Sequence, residues 1–536
     1  MTSRRRKQAA NRTVYPAALA AVVISVLSVV AGCSIGPSTR PTLATSGASG
    51  SAAPAASTAM TMPTGPGGSG RSSDPISWSA CSQQIPTRDP VSGSDFTVQC
   101  AQVEVPKTYG SDSSGTFSVS VARATTGRTP AGAPPLVVMM GDAGQNGTHR
   151  IASVAGTLPA SVVDHFAVIV MDIRGTGDSV PIDCVSGTNS IDLLSLGADP
   201  TTSIASTLLT GLSRSLTFDC GDMVGPDLSD YSTVLAADDV DTVRAALGVE
   251  RIAFLGRGFG ATLGAVYADR YPGRVASAVL DGPSDPSVTS EKQAVAAATA
   301  DEKALTSFGA ACATFSGGCP LGSDPVAAVK SLVASTGDIG RPSSDGHEIT
   351  GGSILLALTE QLGSPADWPV LATALAAARS GNYDPITTLL LAPLGSQDAA
   401  QQQAGVLVYR CNDSAQRLGG TELSAAAAAA RAAAPLFGPF LIGLIGVCSS
   451  WPAPETALGP VTATGAAPIL VLGAVDDPVS PFGEVRSLTA QLDSASLLTW
   501  QSGTHGAYPT SSCVTSAVDA YLLAGTLPAA GTLCPP

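Results

Sequence analysis

Hydrophobic and polar positions alternate along Thr97–Val105 and Thr116–Ala124, as in Phe117-Ser-Val-Ser-Val121, which predicts an antiparallel strand pair with one buried face. The pattern then changes. Leu136-Val-Val-Met-Met140, Phe166-Ala-Val-Ile-Val-Met-Asp172, Ile252–Leu255 and Val275-Ala-Ser-Ala-Val-Leu280 are short, continuous apolar runs of the kind buried on both faces of a parallel sheet. Between them, Leu235, Val240, Val243, Ala246 and Leu247 recur on a helical period and stop at Gly248, and a small-residue helix is expected from Ala261 to Arg270, before Pro272. Alternation of strand and helix predicts a mostly parallel, doubly wound α/β sheet.

From Ser284 to Pro460 the chain turns Ala- and Leu-rich, with helical segments at Gln293–Phe308, Ser353–Gln361 and Leu371–Ala378 and no strand series. Pro468–Gly473 and Ser496–Trp500 are strand-like again, and Ser516–Leu523 is the last helix. This predicts a sheet domain in two parts, 76–283 and 461–536, interrupted by a helical cap, 284–460. The apolar run Leu436–Val447 is too short to span a bilayer and suits core packing or the wall of a substrate cavity.

The first 75 residues follow neither pattern. Arg4, Arg5, Arg6 and Lys7 precede an apolar segment from Ala17 to Ala31 and then Val30-Ala31-Gly32-Cys33, the layout of a secretory signal. The small residues before Cys33 resemble a bacterial lipobox. Residues 1–33 are therefore expected to be a signal peptide cleaved before Cys33, with a diacylglyceryl group on that thiol; an uncleaved single-pass anchor is the alternative. Residues 34–75 are Ser, Thr, Ala, Gly and Pro with almost no large apolar residue, which predicts a tether of ~40 residues reaching roughly 35 Å.

Charge and cysteine content bear on location and partners. The net charge of −14 becomes −19 without the five cations of residues 1–32, so nucleic acid and anionic lipid surfaces are poor partners. Apart from Cys33 there are ten cysteines, at 81, 100, 184, 220, 312, 319, 411, 448, 513 and 534; an even number in an exported chain predicts a disulfide framework. With no CxxC pair and four histidines, neither a metal nor another cofactor is expected.

Candidate chemistry lies on loops at strand ends. Gly256-Arg-Gly-Phe-Gly260 has the frame of a nucleophile elbow, a sharp strand-to-helix turn flanked by glycines, but Gly258 stands where the attacking serine would be. Val475-Asp476-Asp477-Pro478 and Gly503-Thr504-His505-Gly506 follow the next two strands in the order acid, then base. Asp477, directly before Pro478, is the favoured acid and Asp476 the fallback. Asp477 as an Asx-turn residue and His505 as a surface histidine are the plainer alternatives. His149, His165 and His347 have no comparable surroundings.

From Ser77 to Cys534 the chain resembles the actinobacterial tripeptidyl aminopeptidase-like α/β-hydrolases, relatives of prolyl iminopeptidases. The resemblance is carried by Asp172-Ile-Arg-Gly-Thr-Gly177, Ala237-Asp-Asp-Val-Asp-Thr-Val-Arg244, Leu263-Gly-Ala-Val-Tyr-Ala268, Tyr271-Pro-Gly-Arg-Val275, Leu280-Asp-Gly282, Asp477-Pro-Val-Ser-Pro481 and Tyr521-Leu-Leu-Ala-Gly-Thr-Leu-Pro528. It implies the α/β-hydrolase fold with a cap, Asp477 and His505 as acid and base, and the disulfides Cys81–Cys100, Cys184–Cys220, Cys312–Cys319, Cys411–Cys448 and Cys513–Cys534. The family's oxyanion donors map to the Gly141-Asp142 loop and to the backbone N–H of Phe259. Two departures stand out: the elbow serine is Gly258, and Asp142 puts a carboxylate in the oxyanion loop. Glycine cannot form an acyl-enzyme, so the expectation is an envelope lipoprotein on the outer face of the membrane that binds a peptide or ester-like ligand, or an envelope partner, without cutting it. The alternative is an active exopeptidase or esterase using Asp477, His505 and water or another nucleophile.

Overall fold

The computed structural model describes residues 75–536 except 83, 112–113, 392–398 and 455. The signal, the lipid site at Cys33 and nearly all of the tether lie outside the described residues.

Twelve strands are present among the described residues: β1 (Ser79–Ala80), β2 (Thr97–Pro106), β3 (Thr116–Thr125), β4 (Pro135–Met139), β5 (Ala167–Met171), β6 (Ile252–Arg257), β7 (Val275–Asp281), β8 (Arg341–Pro342), β9 (Glu348–Ile349), β10 (Ile469–Ala474), β11 (Ala495–Trp500) and β12 (Leu533–Cys534). Ten form one sheet in the order β1-β2-β3-β5-β4-β6-β7-β10-β11-β12. β1, β2 and β3 pair antiparallel, β3 pairs antiparallel with β5, and every pairing from β5 to β12 is parallel. This is the α/β-hydrolase fold.

Burial accounts for the two strand patterns. All five residues of β4 and of β5 are buried, because helices cover both faces. One face packs on helices Thr233–Ala246 and Phe259–Arg270, the other on helices Ile151–Thr157 and Ser512–Ala524. A buried Leu, Ile or Phe in these layers contributes roughly 1.5–3 kcal/mol.

Strand order positions the site. After β4 the chain moves outward to β5 and then returns to the other side of β4 as β6, so the loops leaving the C-terminal ends of β4 and β6 diverge around a crevice, the place where open sheets bind ligands. The register pairs Met139 with Gly256, which sets the Gly141 loop beside Gly258. Arg257 pairs with Asp281, and Ala474 with Trp500, so the loops after β7, β10 and β11 open at the same edge.

The segment between β7 and β10 has a hydrophobic core of its own, built by helices Ser290–Cys312, Pro325–Thr336, Gly351–Leu362, Trp368–Arg379 and Phe437–Ile445. Phe437 and Phe440, from the apolar run, are fully buried in it. No helix among the described residues is long and apolar enough to cross a membrane. β8 and β9 add a small ribbon that the sequence pattern did not predict. Helices Gly187–Leu194 and Ser203–Val224 also escaped the pattern. The second carries Ile204, Leu208, Phe218 and Met223 on its exposed side as well as Leu209, Leu212 and Leu216 inside, which blurs the period. Five disulfides join Cys81–Cys100, Cys184–Cys220, Cys312–Cys319, Cys411–Cys448 and Cys513–Cys534.

Two buried ion pairs explain much of the 172–177 and 237–244 motifs. Arg174 is fully buried; it donates from Nε to Asp239 Oδ2 at 2.7 Å, from Nη2 to Asp239 Oδ1 at 2.5 Å and to the carbonyls of Pro106, Lys107 and Asp230. Tyr109 Oη also donates to Asp239, at 2.8 Å. Neighbouring Asp238 takes two N–H bonds from Arg270, at 2.7 and 2.8 Å. These residues tie the helix Thr233–Ala246 to the sheet and to the loop that follows β5.

Candidate active site

Gly258 sits at φ 56°, ψ −121°, between β6 and the helix Phe259–Arg270, which starts two residues earlier than the apolar pattern suggested. Its N–H donates to Asp281 O at 3.0 Å, and its carbonyl accepts from Ala261 N and Thr262 N at 3.0 and 3.2 Å. The flanking glycines are required by close approach: a Cβ on Gly256 would overlap the Gly260 carbonyl, and one on Gly260 would overlap the Met139 carbonyl. The turn is therefore the sharp, left-handed elbow on which an α/β-hydrolase mounts its serine. A Cβ on Gly258 would meet only His505, with Nε2 at 3.6 Å and Cε1 at 3.8 Å.

His505 Nδ1 lies 2.9 Å from Asp477 Oδ2. Asp477 is buried, and its other oxygen accepts from Val479 N at 2.9 Å and Ser480 N at 3.2 Å, so the carboxylate is held in one orientation. Asp476 points elsewhere, to Lys303. Burial alone would lower the His505 pKa; the Asp477 charge and hydrogen bond, with Asp281 behind them, outweigh it and raise the value. The remaining histidines stand apart: His149 pairs with Asp178 and His347 with Asp345.

Asp281 was invisible as a site residue in the sequence except as part of Leu280-Asp-Gly282. It is buried and accepts from Ala507 N at 3.1 Å and Tyr508 N at 3.0 Å, fixing the loop that carries His505. Arg257, inside the elbow, bonds the Tyr508 carbonyl and lies 3.7 Å from Asp281. From the cap side, the Gly363 carbonyl accepts the His505 backbone N–H at 2.9 Å.

Gly141, Asp142 and Phe259 line a cavity of about 20 Å³, room for roughly one water, together with Gln145 and Arg150. Gly141 adopts φ 94°, a conformation natural only to glycine. Asp142 is exposed, and its charge is felt by Arg150, Arg410 and Glu360. The cap helix Ala399–Asp413 presses on this loop: a Cβ on Gly144 would overlap the Gln402 carbonyl, and one on Gly405 would reach 2.8 Å from the Gly144 Cα.

The cap adds ionisable groups that no local motif revealed. Desolvation by the surrounding cap and then the Asp142 charge raise the pKa of Glu360, near the end of helix Gly351–Leu362, against the pull of Arg410. Asp301, on helix Ser290–Cys312, is buried and raised well above the carboxylate range, first by desolvation and then by Glu302, Glu360 and Asp477. Among the described residues no cluster of His, Cys, Asp and Glu suits a metal ion.

A family model described as TAP-like protein matches residues 434–534, the stretch holding both Asp477 and His505. This segment is similar to the TAP-like family. Similarity extends well beyond the TAP-like segment: serine protease Hip1 of Mycobacterium tuberculosis is 28% identical over 485 residues, covering 86% of this chain and 91% of that protein. Carboxylesterase B of the same organism is 28% identical over 482 residues, covering 86% and 90%. Tripeptidyl aminopeptidase of Streptomyces lividans is 27% identical over 215 residues, covering 40% of this chain and 39% of that one. The chain is thus similar to TAP-like serine hydrolases along most of its length.

Proposed function

We propose that this chain is an exported envelope lipoprotein whose TAP-like cleft binds a peptide or ester-like ligand without forming an acyl-enzyme. The carrying observation is Gly258: the elbow keeps the turn, the acid and the base, but has no atom to attack a carbonyl. In a serine protease, loss of the nucleophile costs on the order of a millionfold in turnover. A ligand would be held between the elbow, the Gly141 loop and the cap, with the tether and a lipid on Cys33 keeping the domain at the outer face of the membrane. The names of the relatives, a protease, an esterase and an aminopeptidase, support acyl compounds as the ligand class.

A second reading is favoured by the space at Gly258. His505 Nε2 faces room for a Cβ at Gly258, and a water there could be deprotonated by His505 and add directly to a carbonyl. The two readings separate on aminoacyl and peptidyl fluorogenic amides and short-chain esters. Turnover by the wild-type chain equal to that of His505→Ala supports the binding reading; turnover well above it overturns that reading in favour of the water route. The location is tested by palmitate labelling, which should be lost in Cys33→Ala.

A further inference from the structure

A second cavity, of about 540 Å³, opens beside the first turn of helix Thr233–Ala246. No residue of the elbow, the Gly141 loop or the acid and base loops lines it. Its walls come from segments distant in sequence: Tyr109 after β2, Pro226 and Leu228 ahead of the helix, Leu235 within its first turn, Asn412 at the end of helix Ala399–Asp413, and Pro452 from the cap. That volume is far above the water-sized voids of packed interiors and within the range of small-molecule pockets.

Small residues keep the mouth open. Gly221, in the last turn of helix Ser203–Val224, and Gly225, which ends that helix, both line the cavity, and a Cβ on either would meet nothing within 4 Å. Gly225 needs glycine for its φ of 66°. Gly221 is helical, where glycine costs roughly 0.5–1 kcal/mol relative to alanine, so neither backbone conformation nor crowding requires it.

Most polar side chains of the lining are already paired. Asn412 Nδ2 donates to the carbonyls of Leu228 and Tyr231, at 2.7 and 2.8 Å, and its oxygen accepts the Trp451 indole N–H at 2.8 Å. Asp238 accepts from Arg270 and from the Tyr271 hydroxyl, and the Tyr109 hydroxyl lies between Asp239 and Thr242, at 2.8 and 2.7 Å. Thr108 donates to Asp230 at 3.0 Å. A strongly polar ligand therefore finds few partners here, and burying its groups unpaired costs free energy. Charge is opposed further. Asp230 and Asp238 line the cavity with one cation, Arg270, which disfavours an anion, and an ammonium would find Asp238 already bonded by Arg270. What the walls offer is apolar surface, which contributes roughly 25 cal/mol per Å² covered.

We propose that this cavity is a second ligand site, separate from the elbow, for an uncharged aliphatic molecule such as an alcohol or ester. It stands independently of how the elbow cleft is read.

The test is calorimetric titration of the full chain with octanol, octanoate and octylammonium. Octanol is expected to bind, and each charged homologue to bind at least about tenfold more weakly. Two variants locate the site. Gly221→Trp sets an indole at the mouth from a helical position with open space around it. Leu235→Glu puts a carboxylate on the apolar wall, three residues after the Ser232 cap, where glutamate suits a helix start. Both are expected to weaken octanol binding about tenfold or more, while His505→Ala binds as the wild type does. Unchanged or raised melting temperatures of the two cavity variants establish that the loss is not lost folding. The inference is overturned by a wild type that does not bind octanol, by a charged homologue binding as tightly as octanol, or by octanol binding unaltered in both cavity variants. Loss of binding in His505→Ala instead places octanol in the elbow cleft and overturns it as well.

Discussion

The Cβ that Gly258 lacks would stand 3.6 Å from Nε2 of His505 and 3.8 Å from Cε1, in ordinary contact, with nothing else within 4 Å beyond the adjoining residues Arg257 and Phe259. The Cβ of a serine at that position therefore meets no steric block, and a hydroxyl one bond further on is expected to reach the base. Gly258→Ser is expected to gain fluorophosphonate labelling that the wild type lacks. Because φ is 56° there, the variant should also lose about 1–2 kcal/mol of stability to backbone strain, read by urea denaturation. Absence of labelling in a folded variant would show that the oxyanion loop, with Asp142, is also altered for another purpose.

Asp477 should govern the titration of His505. Its charge and hydrogen bond raise the imidazolium pKa above 6.5 in the folded chain, so the stability gained from this pair is fully present below pH 6.5 and is lost as pH rises through the higher folded value. Asp477→Asn is expected to lower the His505 pKa measured by NMR. The destabilisation it causes should be larger at pH 5.5 than at pH 9; an equal cost at both would contradict the assignment. In the Gly258→Ser background the same change should reduce labelling by several orders of magnitude.

Arg174 and Asp239 form a fully buried pair whose hydrogen bonds are satisfied on both sides. Asp239→Ala would leave the guanidinium uncompensated and is expected to cost about 3–5 kcal/mol in chemical denaturation, with little change in the His505 titration of the remaining folded protein. A cost below about 1 kcal/mol would rule out the clamp.

Glu484 is buried next to Asp285, and desolvation followed by the Asp285 charge pushes it up to about 7, although it accepts the Asp285 backbone N–H. Its native pKa exceeds the unfolded value of about 4.5, so the folded chain holds this proton longer and stability falls as pH rises from about 4.5 to 7. Glu484→Gln keeps an acceptor without the charge. It is expected to raise stability by about 2 kcal/mol at pH 8 and to make no difference at pH 4, a pattern that thermal unfolding across pH will check.

Local sequence determined the elements that bury a whole strand or close a sharp turn. The runs at β4, β5 and β6 are apolar at nearly every position because both faces are covered, and Gly256 and Gly260 are glycines because neighbouring backbone leaves no room for a Cβ. The acid and base loops were legible for a similar reason, since each follows an apolar strand directly. Only the tertiary structure decided between Asp476 and Asp477, because both sit on one turn and the choice depends on which carboxylate faces His505 across 28 residues of chain. The surroundings of Asp281, Asp301 and Glu360 were hidden as well, because each gains its meaning from the element packed against it. Periodicity reports how one element meets its surroundings, whereas strand order and cap docking follow from contacts between distant segments.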